Sequence, residues 1–483
     1  MANERYIKNY INGTLMPAIS GNYLDNINPA TGKVFSHFPD SGTEDLEQAI
    51  TFAEKALPEW QAFDSERRFR ILMRVADIIE QNAGEYARAE SVDTGKPITM
   101  SISQDIPGAQ AYFRYYAGLL LNLNNAAHQQ EGNLMHYTIR QPIGIVGGIA
   151  SCHMPLYGLC KKIAPALAMG NCVIVKVSQF TPLTAYLLAK DLERTGLPKG
   201  VLNIIQGKNN PLINQIVEHP KIKAISFTGD PELGKKIIQN AASQNKKLAI
   251  NIGGNNPNII FEDCDFDQMM LGTLRSSFSN NGQRKHHASR ILVQRSIHER
   301  FKEELVKRAQ FIKIGDPFAR LTDLGALLSQ THLENMESVV KLVELEGGNI
   351  LCGGEKVVLE GELEEGFFMR PTVVEGLNND SFLNQEEIFG PLVTLQIFDT
   401  EEEALQLANA TKYGTSAAVW TQDISKANRF ATQLNANTIW INSWLTDNKD
   451  LQSGGIFYSG LRGQGGATAL DFFSESKEVC LKY

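Results

Sequence analysis

Between residues 143 and 252 the hydrophobic period switches back and forth, and no other feature of the chain restricts its fold so much. Ile143 to Ala150, Val173 to Val177, Val201 to Ile205, Ala224 to Phe227 and Ala249 to Ile252 are short, largely apolar runs rich in β-branched residues. Helical patterns separate them: Leu156 to Met169, Pro182 to Thr195, a short one near Pro211 to Glu218, and Pro231 to Ala242. Apolar strands joined through helices belong in a parallel sheet covered on both faces. This is a nucleotide-binding type of architecture, which by itself assigns no function. Upstream, the spacing predicts amphipathic helices over residues 43–57 and 65–83. The first follows Ser41-Gly42-Thr43-Glu44, which has capping-box spacing. The second carries a stripe of Phe69, Ile71, Leu72, Val75, Ile78 and Ile79. A second α/β segment is expected from about 253 to 450. Residues 472–483 read as a strand that needs a partner edge, in this chain or another.

A chain of 483 residues exceeds one hydrophobic core and suits two lobes with a small appendage. Its net charge is −8, and no Lys/Arg run exceeds a pair such as Lys246-Lys247. These features argue against a nucleic-acid or anionic-membrane surface. No apolar run approaches the roughly 20 residues that span a bilayer, and the first residues carry no secretory pattern. A cytoplasmic compartment is therefore expected. The six cysteines (152, 160, 172, 264, 352 and 480) show no CxxC spacing. That argues against a disulfide framework or a zinc knuckle, and no metal is expected.

Four motifs carry a family resemblance. Phe227-Thr228-Gly229-x-x-x-x-Gly234 resembles the FTGSxxxG loop of aldehyde dehydrogenases, and Ile252-Gly253-Gly254-Asn255-Asn256-Pro257-Asn258 resembles their ELGGKxPN segment. Phe278-x-Asn280-x-Gly282-Gln283 resembles the approach to the nucleophile, and Glu386-Glu387-Ile388-Phe389-Gly390-Pro391 is the EEIFGP motif unaltered. Gly-Gln-Gly-Gly at 463–466 and the C-terminal run are most similar to the 2-hydroxymuconic and 2-aminomuconic semialdehyde dehydrogenases. The resemblance implies an α/β fold with a Rossmann-like cofactor lobe (residues 1–118 and 142–251) and a catalytic-type lobe (252–450). A bridging element (119–141 and 466–483) would complete it and support a homodimer or homotetramer.

Aldehyde oxidation in that family needs a thiolate, donors for the oxyanion, a nicotinamide to take the hydride, and a carboxylate to activate water. By the family pattern GQxC, the thiol position is Lys285, and its neighbours His286 and His287 are not thiols either. An amine would give a carbinolamine or imine, and hydride loss from a carbinolamine would end in an amide rather than a hydrolysable thioester. The general-base position is Asn251, whose amide takes no proton near neutral pH. The oxyanion asparagine is replaced by His153, in Ser151-Cys152-His153-Met154-Pro155.

The implied cofactor is NAD(P), with binding expected to be weakened or lost. Lys176 matches the lysine that reaches the adenosine ribose, but its companion glutamate is Gln179. Glu387 and Phe389 match the residues that hold the nicotinamide ribose and ring. Gly229 is followed by Asp230 where a serine meets the pyrophosphate. A carboxylate there would occupy the helix N-terminus and repel phosphate, or it is simply a good N-cap. Asn209 stands where the phosphate turn usually has glycine. Arg114 matches a carboxylate-binding arginine of semialdehyde-specific relatives, or is a solvated, salt-bridged helix residue. In Thr446-Asp447-Asn448-Lys449-Asp450 both further arginine positions carry aspartate.

If the backbone follows the family, Cys152, His153, Asn251, Lys285 and His286 lie together. Four readings of that cluster stay open: a drifted site, a Schiff-base lysine at Lys285, a His/Cys metal site without a spacing motif, and a positive pocket floor that binds an anion. The function expected is that of a catalytically degenerate homologue acting as a binding or assembly partner, perhaps beside an active paralogue. The alternative is a non-standard enzyme using Lys285 on a semialdehyde-like carbonyl, or a residual NAD(P)-linked oxidoreductase.

Overall fold

A computed structural model describes residues 6–446, 449–451 and 454–483. The switching period produces parallel strands at Ile145–Ile149, Cys172–Lys176, Leu202–Ile205, Ile222–Gly229 and Lys247–Ile252. Across the sheet they run 202–205, 172–176, 145–149, 222–229, 247–252, so the chain begins centrally and winds outward both ways. In open α/β sheets such a reversal leaves a crevice at the carboxyl ends of the strands, where ligands bind. Asn9–Ile11 extends one edge, and Gly460–Leu461 returns from the second lobe to close the other.

The helix Pro231–Ala242 matches the sequence pattern residue for residue, with Asp230 as N-cap accepting from the Leu233 N–H at 2.7 Å. The first helix differs. It spans Thr43–Ala62, past Pro58, because Ala53, Ala56 and Trp60 continue its buried stripe. Its N-cap is Gly42, so the capping box has one arm: the Asp45 carboxylate accepts the Gly42 N–H at 3.0 Å. Ser41 instead accepts from Asn9 at 2.7 Å. The next helix is Ser65–Gln81, capped by Asp64. A π turn at Ser101–Asp105 precedes the helix Ile106–Leu121. Asp105 meets buried Lys96 at 2.6 Å, and Lys96 also donates to Glu90 at 3.2 Å and to the His153 carbonyl at 2.8 Å. The π turn thereby helps to fix the loop that carries His153.

The second lobe is a seven-stranded sheet with Arg290–Gln294 and Pro257–Ile260 at its centre. The terminal strand Ser474–Lys482 finds its edge within the chain, pairing Leu134–Pro142 from Ser474 opposite Pro142 to Lys482 opposite Leu134. Ala127–Gln130 completes this three-stranded sheet as its exposed outer edge. The bridging element is narrower than expected: Ala469, Leu470, Phe472 and Phe473 are buried in the first lobe's core. Among the described residues no helix is long and apolar enough to cross a membrane.

Behind the helix Phe266–Phe278 the backbone turns sharply toward the other lobe. Asn280, Asn281 and Gly282 follow one another in the left-handed region, at φ 56°, 54° and 65°. Asparagine tolerates this conformation better than most residues. The Asn281 amide also donates to the carbonyls of Gly325 at 3.0 Å and Ala326 at 2.9 Å. A Cβ on Gly282 would stand 2.0 Å from the Gly390 carbonyl oxygen, which is backbone. Gly282→Ala is therefore expected to cost about 2 kcal/mol or more, lowering the urea midpoint. Gly84→Ala, in a helix where an added Cβ meets nothing within 4 Å, should raise it slightly.

Candidate functional site

The crevice holds a cavity of about 850 Å³. Thr228 and Asn251 reach it from the ends of two parallel strands, and Gln464 from the segment returning out of the second lobe. His153 enters from the loop before the helix Pro155–Ala168. Arg284, Lys285 and His286 follow the left-handed turn, and Trp440 and Trp444 form an opposite wall. His153, Asn251, Lys285 and His286 are thus brought together, as the motifs imply. Cys152 stands beside them, its thiol pushed up to about 11 by burial despite the Lys285 and Lys96 charges nearby.

Lys285 is 7% exposed and reaches across the cleft. Its ammonium donates to the Gly229 carbonyl at 2.7 Å and faces Glu387 Oε1 at 3.5 Å. Burial raises the Glu387 carboxyl above its ordinary pKa, while Lys285 pulls it the other way. The His153 imidazole lies 2.7 Å from the Ser151 hydroxyl. Burial first, then the charges of Lys285, Lys96 and Arg284, hold its pKa well below that of free imidazole. The ring is neutral at pH 7. Asn251 is 8% exposed, and its Oδ1 is buried without a hydrogen-bond partner.

Residues matched to dinucleotide contacts are engaged with their own neighbours. Lys176 is fully buried and hydrogen-bonds the Asn209 side-chain oxygen. The Asn209 N–H donates to Gln179 Oε1 at 3.0 Å, and the Gln179 N–H returns a bond to Asn209 Oδ1 at 3.3 Å. Burial pulls the Lys176 amine down to about 7, with Asp40 a weak opposing influence. Asp230 caps its helix. Phe389 lies edge-on to His153 at 6.1 Å between ring centroids, and its carbonyl is 2.6 Å from His332 Nε2.

Arg114 is placed elsewhere. It pairs with Asp77 at 3.0 Å and with Glu80, both on the helix Ser65–Gln81, and does not line the cavity. The reading as a salt-bridged helix residue fits this placement. Thr446 and Lys449 line the cavity, but Asp450 turns to Tyr115, whose phenol burial and then Asp450 push up to about 12. Asp447 lies outside the described residues.

Two features of the site were not singled out in the sequence. Lys162, 2% exposed, donates to Thr228 Oγ1 at 2.8 Å and Gln464 Oε1 at 3.1 Å, and burial pulls its amine well down. Its signal was a lysine pair, Lys161-Lys162, among Leu159, Cys160 and Ile163 in a largely apolar helix. Gln104, on the π turn, accepts from Arg284 at 2.9 Å and has no motif of its own. Among the described residues no group of three or more His, Cys, Asp or Glu could hold a metal ion.

Residues 17–479 match the aldehyde dehydrogenase family. The chain is 40% identical over 480 residues to 2-aminomuconic semialdehyde dehydrogenase of Bos taurus, covering 99% of this chain and 98% of that one. It is 36% identical over 482 residues to 2-hydroxymuconic semialdehyde dehydrogenase of Pseudomonas sp. strain CF600, covering 99% of each. Among solved structures it is similar to betaine aldehyde dehydrogenase from Staphylococcus aureus in complex with NAD+, with a TM-score of 0.96 and 34% identity over 98% of this chain and 94% of that one. Sequence, fold and the order of the motifs agree: the chain belongs to the aldehyde dehydrogenase family.

Proposed function

We propose that this chain is a catalytically degenerate aldehyde dehydrogenase homologue that acts by binding rather than by oxidising aldehydes. The observation that carries this reading is the engagement of Lys285 with the Gly229 carbonyl and Glu387. An amine stands at the position matched to the family's thiol, and its attack on a carbonyl ends in a carbinolamine or imine rather than a hydrolysable thioester. Asn251, at the base position, has no proton-accepting group for water.

The residues present do not fit a nicotinamide dinucleotide well. A ribose would have to displace Asn209 from Lys176, and a pyrophosphate would have to meet the Asp230 carboxylate at the helix N-terminus. Glu387, the match to a nicotinamide-ribose contact, already faces Lys285. The assembly that suits this reading is a homodimer or homotetramer. The exposed Ala127–Gln130 edge offers its unpaired backbone to a neighbouring subunit or to an active paralogue in the cytoplasm.

Purified protein mixed with NAD or NADP and an aldehyde panel that includes dicarboxylic semialdehydes should form neither reduced dinucleotide nor a thioester detectable by mass spectrometry. Sustained conversion of any aldehyde to its acid defeats the proposal. A borohydride-trapped adduct on Lys285 would favour the carbonyl-enzyme alternative. In calorimetric titration, Asp230→Ser with Asn209→Gly should bind NAD at least about tenfold more tightly than the parent, a change of roughly 1.4 kcal/mol.

Lys176 gives a second test. Its folded pKa of about 7 lies below the usual lysine value of 10.5. The unfolded chain therefore holds more protons between those values, and this residue makes stability rise with pH there. Lys176→Met should flatten the stability-against-pH slope between about pH 7 and 10, followed by urea midpoints.

A further inference from the structure

Beneath the loop that carries His153, two acids share one ammonium. Glu90, on the helix Ala83–Thr94, is fully buried together with Lys96 and Asp105. The Lys96 ammonium donates to Asp105 Oδ2 at 2.6 Å and to Glu90 Oε1 at 3.2 Å. The Glu90 carboxyl is itself within hydrogen-bonding reach of Asp105, and Asp105 Oδ1 is buried with no donor. Two ionised carboxylates have no proton to offer each other, and side by side out of water they repel. A single proton between them removes that repulsion and supplies the donor that the pair lacks.

The pair is tied to both walls of the cavity. Lys96 also donates to the His153 carbonyl at 2.8 Å, which the Asn280 amide of the second lobe reaches at 3.3 Å. Glu90 Oε2 accepts the Leu156 N–H at 3.3 Å, at the start of the helix Pro155–Ala168 that follows the loop. Gln104, beside Asp105 on the π turn, accepts from Arg284 at 2.9 Å, and the Asp105 charge acts on that guanidinium. The other groups facing the cluster are Cys160 against Glu90, and Cys152 and His153 against Lys96. Burial pushes both thiols up, and burial followed by the nearby cations holds His153 neutral, so none of these three changes charge near neutral pH.

We propose that Glu90 and Asp105 form a buried acid pair holding one proton, and that release of this proton loosens the loop bearing His153. Once the proton leaves, two carboxylates compete for one ammonium, and Lys96 is drawn off the His153 carbonyl or the acids part from Leu156. The device stands whether or not the cavity performs chemistry. Burial raises the Glu90 carboxyl above its ordinary value of 4.5, with Lys96 opposing the rise and Asp105 adding to it. The folded pair therefore keeps a proton that the unfolded chain has lost, and its contribution to stability falls as pH rises between about 4.5 and 8.

The test is infrared titration of the full chain, with hydrogen exchange followed over residues 151–158. At about pH 6 the parent should show a C=O stretch of a protonated carboxyl that is gone by about pH 10. Glu90→Gln and Asp105→Asn should each abolish that band, because each leaves one carboxylate for one ammonium. Bands from Asp93 and Glu387, buried acids elsewhere whose pKa values are also raised, should survive both substitutions. Over the same range, protection of the Leu156 amide and its neighbours should fall several-fold in the parent. In Glu90→Gln it should hold, since the new amide keeps an acceptor for Leu156 and a donor for Asp105. The same variant should flatten the fall of the urea midpoint between about pH 4.5 and 8. Asp105→Asn carries the comparison of bands if the glutamine variant does not fold. A cluster with both acids ionised throughout would show none of these changes. A parent whose spectrum loses no band in either variant, or protection that falls equally in parent and Glu90→Gln, would each overturn the proposal.

Discussion

A buried ammonium joins the two lobes at the mouth of the cleft. Lys285 leaves the second lobe on a turn made rigid by Asn280, Asn281 and Gly282, and ends on the Gly229 carbonyl of the first lobe and on Glu387 of its own. Geometry dictates this engagement. The turn buries the side chain, and a buried lysine is stabilised by oxygen atoms. A carbonyl at the end of one strand and a carboxylate from the facing segment supply them. The Lys285 charge acts on Cys152, His153 and Glu387. Burial and then that charge hold His153 neutral, whereas burial keeps the Glu387 carboxyl above its ordinary pKa against the pull of Lys285.

That arrangement leaves an asymmetry between cations and anions around the cavity. Lys162 and Lys176 lie in the first lobe's interior on hydroxyl and amide oxygens, and burial pulls both amines well below the ordinary lysine range. Neutralisation is open to a lysine at modest pH. It is not open to Arg284, whose guanidinium stays charged even after burial has lowered its pKa. The buried bases thus behave in two ways, and the arginine is the one that keeps its charge, with Asp105 acting on it against burial.

Much of the cofactor-type lobe was legible from periodicity, because its strands are buried on both faces and its helices present a single stripe. The ends of elements were less so. The helix beginning at Thr43 continues through Pro58 because burial of Trp60 outweighs the proline's local cost, and tertiary gain of that kind has no local sequence signal. Phe472 and Phe473 read as the start of the terminal strand, yet with Ala469 and Leu470 they complete the first lobe's core. At the site, motif order located His153, Asn251 and Lys285 correctly relative to one another. It could not reveal what Lys285 touches, or that Arg114 faces Asp77 and Glu80, since the Lys285 partners lie 56 and 102 residues away and the Arg114 partners lie on a neighbouring helix.

The strained turn beneath Lys285 is held by contacts that do not involve the cavity side chains. Backbone in the left-handed region is often retained at active sites because the reaction needs it. Here the same conformation is over-determined by structure. The Asn281 amide is committed to the Gly325 and Ala326 carbonyls, the Asn280 amide to that of Gln283 at 2.8 Å, and Gly282 packs directly on the Gly390 backbone. Asn255 and His287 bond the Glu386 and Ile388 carbonyls, so the EEIFGP segment is tied to the same turn. Side chains at the cavity surface can change while this scaffold stays, because their loss breaks none of those bonds. The Lys285 side chain takes no part in those bonds, so packing alone accounts for the shape of the turn.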